Sequence, residues 1–360
     1  MPKQPACAGV RECAGLGLQM NGVQMIALHD ILSAARRISG VADHTPMVPS
    51  PFMSAATQHP FFLKLENTQA TGAFKLRGAL NAVASLPSDA RGVVCCSTGN
   101  HGRGVAYAAA QRGLRAVICM SNLVPQAKVD GIRALGAEVR IEGVSQDYAL
   151  AAAQRLVQAE GLIDISPFDD PLVIAGQGTI GLEMLSAQPD LQHLLVPLSG
   201  GGLAAGVACA AKAINPKIKV TGITMDRGAA MDASIRAGRP IIVPEFPSLA
   251  DSLGGGIGME NQLSFPMCRD LLDDVILVTE EEIYHAMQVL YYEDRIVAEG
   301  ACVVGMAACL SGKITPQGPT ATIITGRNVD MYQFTQVITG QDIELGEYTV
   351  KGQPYAQPIA

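Results

Sequence analysis

In the stretch TGAFKLRGAL (71–80) a lysine, Lys75, stands between Phe74 and Leu76 in an apolar run. Ala79, Leu80, Ala82 and Val83 continue that run at helical spacing, so the segment reads as an amphipathic helix with Lys75 at its opening. Lysine is seldom buried without a partner or a task. On an ordinary surface its stem would lie along the protein and its amine would stay in water. An amine in water titrates near ~10.4 and is almost always charged. Burial beside Phe74 disfavours the ammonium, and the neutral amine is both a nucleophile and a base.

Two glycine-rich stretches offer complementary chemistry. STGNHGRG (97–104) follows the apolar run GVVCC, and SGGGLAAG (199–206) follows HLLVPL. Each reads as the turn between the carboxyl end of a parallel strand and a helix, where open α/β sheets bind ligands. A helix start with glycines presents bare N–H groups and a positive dipole end to an anion. SGGGL has room for a phosphate to touch successive amides, although glycine also serves tight-turn geometry alone. His101 lies in the first loop, where it faces a ligand or fills a satisfied core position. GQGTIG (176–181), preceded by PLVIA as a candidate strand, matches the GxGxxG of an NAD-dependent dehydrogenase. The acid such a site wants is missing, because none lies between Asp190 and Asp226. The six histidines are scattered and no HExxH occurs, so no metal site is expected.

Alternating elements must position these residues. Short apolar strands (GVVCCS, AVICM, EVRIEG, HLLVPLS, KVTGITM, DDVILVT, TATIIT) alternate with helical stretches such as NHGRGVAYAAAQRG and EEEIYHAMQVLYYED. That order predicts an α/β protein with mostly parallel sheets flanked by helices. The 360 residues divide into a large domain (26–87 and 170–340) and a small mobile domain (88–169), with a disordered extension at 1–25 and a loose tail at 341–360. HTPMVPSPF (44–52) reads as extended, and GRPIIVPEFPSLADSLGGGIG (238–258) as a shaping loop.

Composition narrows the class. The chain is 48% hydrophobic with 38 glycines, which suits sheets covered on both faces. Its net charge is −7 and its longest adjacent basic pair in a helical stretch is Arg36–Arg37, so a nucleic-acid partner is not indicated. No stretch reaches the ~20 apolar residues of a membrane span. Arg11 and Glu12 interrupt the amino-terminal segment, which therefore reads as neither a signal peptide nor an anchor. The nine cysteines form no CxxC pair, which predicts reduced thiols in a cytoplasmic protein.

FKLRGA, STGNHGRGVA, GQGTIGLEML, SGGGL and TGRNVD stand in the order and spacing of the fold-type II pyridoxal-phosphate enzymes. The chain most resembles their threonine/serine dehydratase and serine racemase branch, over roughly 26–339. The resemblance implies pyridoxal 5'-phosphate as cofactor, with Lys75 as the Schiff-base lysine and Phe74 packed on its ring. It implies that Asn100 bonds the ring's phenolic oxygen and that Ser199, Gly200, Gly201, Gly202 and Leu203 donate to the phosphate. Thr325 would face the pyridine nitrogen, a neutral partner that makes the ring a weaker electron sink than a carboxylate would. Ser97, Thr98, Gly99 and His101 would hold a substrate carboxylate. The implied reaction is β-elimination of water from a β-hydroxy amino acid, in an ammonia-lyase that is a homodimer. Within the branch, STGNHGRGVAYAA, LADSLGGGIG and ITGRNVDMYQF resemble the hydroxyectoine utilization dehydratases, which implies a ring-opened hydroxylated diamino acid as substrate. A β-replacement synthase is a rival of the same fold.

Several positions depart from the family pattern. Thr98 stands where racemases carry a serine acid and many dehydratases alanine, which leaves residual racemase activity open. Thr224 and Met225 replace the region of the family's metal-binding glutamate. Arg103 and Arg327 stand where glutamine and a small residue are common. If inward, they would favour a substrate with extra negative charge or an acyl oxygen.

Overall fold

The structure, a computed structural model, describes residues 19–20, 23–24, 26–97, 99–122, 124, 126–144 and 146–356. Two open sheets carry it. The larger runs in the order Asp274–Val278, Lys219–Met225, His193–Pro197, Thr320–Ile323, Phe61–Lys64, Met47–Pro49. Its first five strands are parallel and only the edge strand Met47–Pro49 is antiparallel. The smaller sheet, in the order Glu138–Ile141, Ala116–Met120, Val93–Cys96, Ile163–Asp164, is parallel throughout. The central strands HLLVP and AVICM are buried along their whole length, as strands covered on both faces must be.

Three helices join the sheets through close contacts at glycine. Helices Pro171–Ala187 and Gly202–Ile214 cross where a Cβ on Gly206 would lie 2.3 Å from the Ile174 carbonyl oxygen. Helices Pro171–Ala187 and Lys75–Ala84 meet where a Cβ on Gly176 would lie 2.7 Å from the Arg77 carbonyl oxygen. The glycines of GQGTIG therefore serve helix packing. PLVIA is not a strand: Asp170 accepts hydrogen bonds from the amides of Leu172 and Val173 with Pro171 next to it, so the helix starts there. GQGTIG sits inside that helix and forms no strand-to-helix loop, which removes the structural basis for the dinucleotide reading.

The division at residue 87 does not follow the packing. Leu76, Ala79, Leu80 and Val83 of helix Lys75–Ala84 share a core with Val105, Ala109 and Ile118 of the smaller sheet's layer. The opposite side of the same helix sends Arg77 into the larger body, where it pairs with Glu66 at 2.8 Å and Glu183 at 2.6 Å. A helix with one apolar face and one buried ion network belongs to both cores.

The segment after 340 is not a loose tail. Ile343–Leu345 and Tyr348–Val350 pair antiparallel, and Ile343, Leu345 and Val350 enter the larger core. Tyr355 stacks on Tyr292 with ring centroids 4.9 Å apart. Part of HTPMVPSPF is helical, because Ser50 caps helix Pro51–Thr57 with proline in its first turn. Of the expected extension, Gln19–Met20 pairs antiparallel with Val23–Gln24, and the rest lies outside the described residues. Among the described residues no helix is long and apolar enough to cross a membrane.

Candidate active site

A cleft of about 550 Å³ opens between the two sheets, against the carboxyl ends of their strands. Cys96 and Ser97 reach it from the smaller sheet; Pro197, Ser199 and Thr325 reach it from the larger. Lys75 enters it from the first residue of its helix. The backbone holds that entry point, since the Phe74 amide donates to the Thr325 carbonyl at 2.9 Å and Ala73 bridges to Gly326. Lys75 Nζ donates to the Pro167 carbonyl oxygen at 2.6 Å and lies 5.3 Å from the centre of the Phe74 ring. Among the described residues no carboxylate pairs with it, so burial alone lowers its pKa, to about 8.

Ser199 to Leu203 form the floor opposite. None of their backbone N–H groups finds an acceptor among the described residues, as expected of a helix start that awaits an anion. Gly201 has φ 91°, and a Cβ there would lie 2.6 Å from Met231 Cε, so only glycine fits. Ser264 Oγ donates to the Gly200 carbonyl at 2.7 Å and fixes the turn from behind. Asp169 holds that support in turn by accepting from the amides of Leu263 and Ser264, both at 2.8 Å. Unpaired amides with no room for a side chain make a cradle that fits a phosphate.

Asn100, Gly99, His101 and Arg103 line the cleft on the smaller sheet's side. His101 is buried, with Nε2 2.7 Å from the Ile165 carbonyl oxygen and Nδ1 without a partner among the described residues. Burial, and then the nearby Lys75 charge, push its pKa down to about 3, so the imidazole is neutral and Nε2 carries the proton. The Arg103 guanidinium lies against Gly131, where a Cβ would come within 2.6 Å of it. Thr325 Oγ1 sits 3.3 Å from the buried Cys302 Sγ, which also lies 2.9 Å from the Gly326 carbonyl oxygen.

Arg327 does not join them. It is exposed and lies over Gly72, with its own amide donating to the Gly72 carbonyl at 2.9 Å. The turn after strand Thr320–Ile323 rotates the side chain away from the cleft, so only Arg103 of the two arginines faces it. Thr98 lies outside the described residues. The sequence reading missed Glu299, a cleft-lining carboxylate exposed by only 4%. Its one signal was an isolated acid in the apolar run IVAEGACVVG. Burial raises its pKa, against hydrogen bonds from Asn100, the Asn328 amide and Ser252.

An amine of depressed pKa and a phosphate-sized cradle in one cleft define an α/β enzyme built to hold a phosphorylated carbonyl cofactor. The chain belongs to the pyridoxal-phosphate dependent enzymes, whose family model matches residues 38–326. It is 53% identical over 324 residues to a Sinorhizobium fredii protein named, provisionally, a threonine dehydratase, covering 89% of this chain and 98% of that one. It is 40% identical over 316 residues to the L-threonine ammonia-lyase of Thermotoga maritima, covering 87% and 78% of the two chains. Among solved structures, maize serine racemase superposes with a TM-score of 0.82 at 33% identity, over 86% of this chain and 96% of that one. The protein is thus a fold-type II pyridoxal-phosphate enzyme of the threonine/serine dehydratase branch, and pyridoxal phosphate is its cofactor.

Proposed function

We propose that this enzyme removes water and then ammonia from a β-hydroxy amino acid such as threonine or serine. The single observation that carries the reading is the Lys75 amine, depressed to about 8 and unpaired by any carboxylate among the described residues, in the same cleft as the Ser199 to Leu203 amides, which find no acceptor among those residues. Bound pyridoxal phosphate supplies an aldehyde that condenses with amines and a ring that withdraws electrons from the substrate's α-carbon.

The chain's own residues do the rest. Ser199, Gly200, Gly201, Gly202 and Leu203 would hold the phosphate through N–H donors, Phe74 would pack on the ring, Asn100 would donate to its hydroxyl oxygen and Thr325 would sit by its nitrogen. Lys75 Nζ, a buried amine of lowered pKa, would take the α-proton of the substrate as general base. Thr325 would offer the ring nitrogen a neutral partner in place of a carboxylate, so the bound group would withdraw electrons less strongly. The backbone N–H groups and hydroxyls of Ser97, Gly99 and His101, with Thr98, would hold the substrate carboxylate, because the unprotonated His101 Nδ1 can only accept. For threonine the balance is one amino acid in, one 2-oxobutanoate and one ammonium out.

A hydroxylated diamino acid is a further substrate within this reading, and we place the enzyme in the cytoplasm as a homodimer. The test is direct. Protein loaded with cofactor should absorb in the visible, and borohydride should bleach it and fix the cofactor to the peptide carrying Lys75. Threonine, serine, hydroxyaspartate and 3-hydroxy-2,4-diaminobutyrate then rank by keto acid and ammonia released. Change of optical rotation without keto acid would replace the lyase reading by a racemase.

A further inference from the structure

Asn100 approaches the cleft from helix Asn100–Arg112 beside the smaller sheet, whereas Glu299 and Asn328 belong to the larger body. The Asn100 Nδ2 lies 3.0 and 3.1 Å from the two carboxylate oxygens of Glu299. Seen from that nitrogen the two oxygens lie in nearly the same direction, whereas its two N–H bonds point well apart, so one N–H serves both oxygens and the other is left over. Asn328 Nδ2 donates to the Asn100 Oδ1 at 2.6 Å and also to the Thr71 carbonyl at 3.0 Å. The Asn328 amide donates to Glu299 Oε1 at 2.9 Å.

The orientation of the Asn100 amide follows without ambiguity. Glu299 and the Thr71 carbonyl are acceptors, so the atoms facing them are nitrogens, and the Asn100 oxygen must face Asn328. We infer that Glu299 and Asn328 are positioning residues that lock the Asn100 side chain with its spare N–H toward the cofactor ring's hydroxyl oxygen. Asn100 itself touches the cofactor; the other two act through it. The clamp joins the two bodies of the enzyme, so the donor is aimed only when they stand together. This inference rests on the cofactor assignment above.

The Glu299→Gln and Asn328→Asp variants change almost no volume but reverse one polar atom each. The glutamine amide nitrogen would face the Asn100 nitrogen, and the aspartate oxygen would face the Asn100 oxygen. Either mismatch turns the amide over and removes the N–H from the ring oxygen, which then keeps its own proton. Bound cofactor should shift its absorbance from the visible toward the near-ultraviolet, and cofactor affinity in direct titration should fall about tenfold. Asn100→Ala should show the same shift. Combined with Asn100→Ala, neither variant should add to it, because their effect passes through Asn100. Variants that lower the melting temperature but leave the visible to near-ultraviolet ratio unchanged would overturn the inference. So would shifts that persist undiminished in the Asn100→Ala background. Failure of the parent protein to bind pyridoxal phosphate at all would instead refute the cofactor assignment.

Discussion

Lys75→Met tests whether this protein trades stability for a reactive amine. Burial lowers the Lys75 pKa from 10.5 to about 8, which at about 1.4 kcal/mol per tenfold step corresponds to about 3 kcal/mol. That figure is what the cofactor-free fold gives up at pH 7 by holding a charged ammonium in the cleft. The sign follows from proton uptake. Between pH 8 and 10.5 the unfolded chain binds the proton and the folded chain does not, so parental stability rises with pH across that window. Methionine has nearly the same shape and no charge. Its substitution also removes the bond to Pro167, worth about 1 kcal/mol. Cofactor-free Lys75→Met should therefore be more stable than cofactor-free parent by about 2 kcal/mol at pH 7, with the gap closing by about pH 10. Denaturant melts of both proteins at pH 7, 8.5 and 10 read the difference. The same variant should release no keto acid and retain no cofactor after borohydride. A variant less stable than the parent at every pH, or a gap that does not change with pH, would refute the reasoning.

Other perturbations read other parts of the frame. Arg77→Met leaves Glu66, which is fully buried, without its guanidinium partner; loss of about 3–5 kcal/mol is expected in denaturant melts. Gly201→Ala forces a side chain into φ 91° against Met231, so cofactor titration should show affinity lost by at least about a hundredfold while the far-ultraviolet spectrum is kept. The Arg227 guanidinium lies 5.0 Å from the Phe246 ring centre and 4.6 Å from that of Tyr348, so it ties a cleft-lining loop to the hairpin after residue 340. Arg227→Ala should cost about 1 kcal/mol and raise KM with little change in kcat, as steady-state kinetics and thermal melts would report.

How much of the site could be read in advance depends on how local each signal is. Lys75 and the Ser199–Leu203 cradle are short contiguous motifs, and the physics that selects them acts over a few residues. Arg103 and Arg327 look alike in sequence, yet one faces the cleft and the other lies over Gly72. Which way each points is set by the turn that carries it. GQGTIG has the spacing of a phosphate loop, but the Asp170–Pro171 start signal just before it makes a helix, and its glycines admit neighbouring backbones. The hairpin after residue 340 went unread because IEL and YTV are short; their burial against the larger core makes them strands.

Glu299 marks the boundary most clearly. Nothing near it in sequence says what it does, because its partners Asn100 and Asn328 come from segments far away along the chain. The amino-acid order alone determined the strand–helix alternation, the reactive lysine and the anion cradle, since period, propensity and backbone freedom are properties of neighbouring residues. Only the tertiary structure decided which polar groups meet across the cleft, which arginine turns inward and which way an amide points. Those outcomes depend on satisfying buried donors and acceptors among segments that only folding brings into contact.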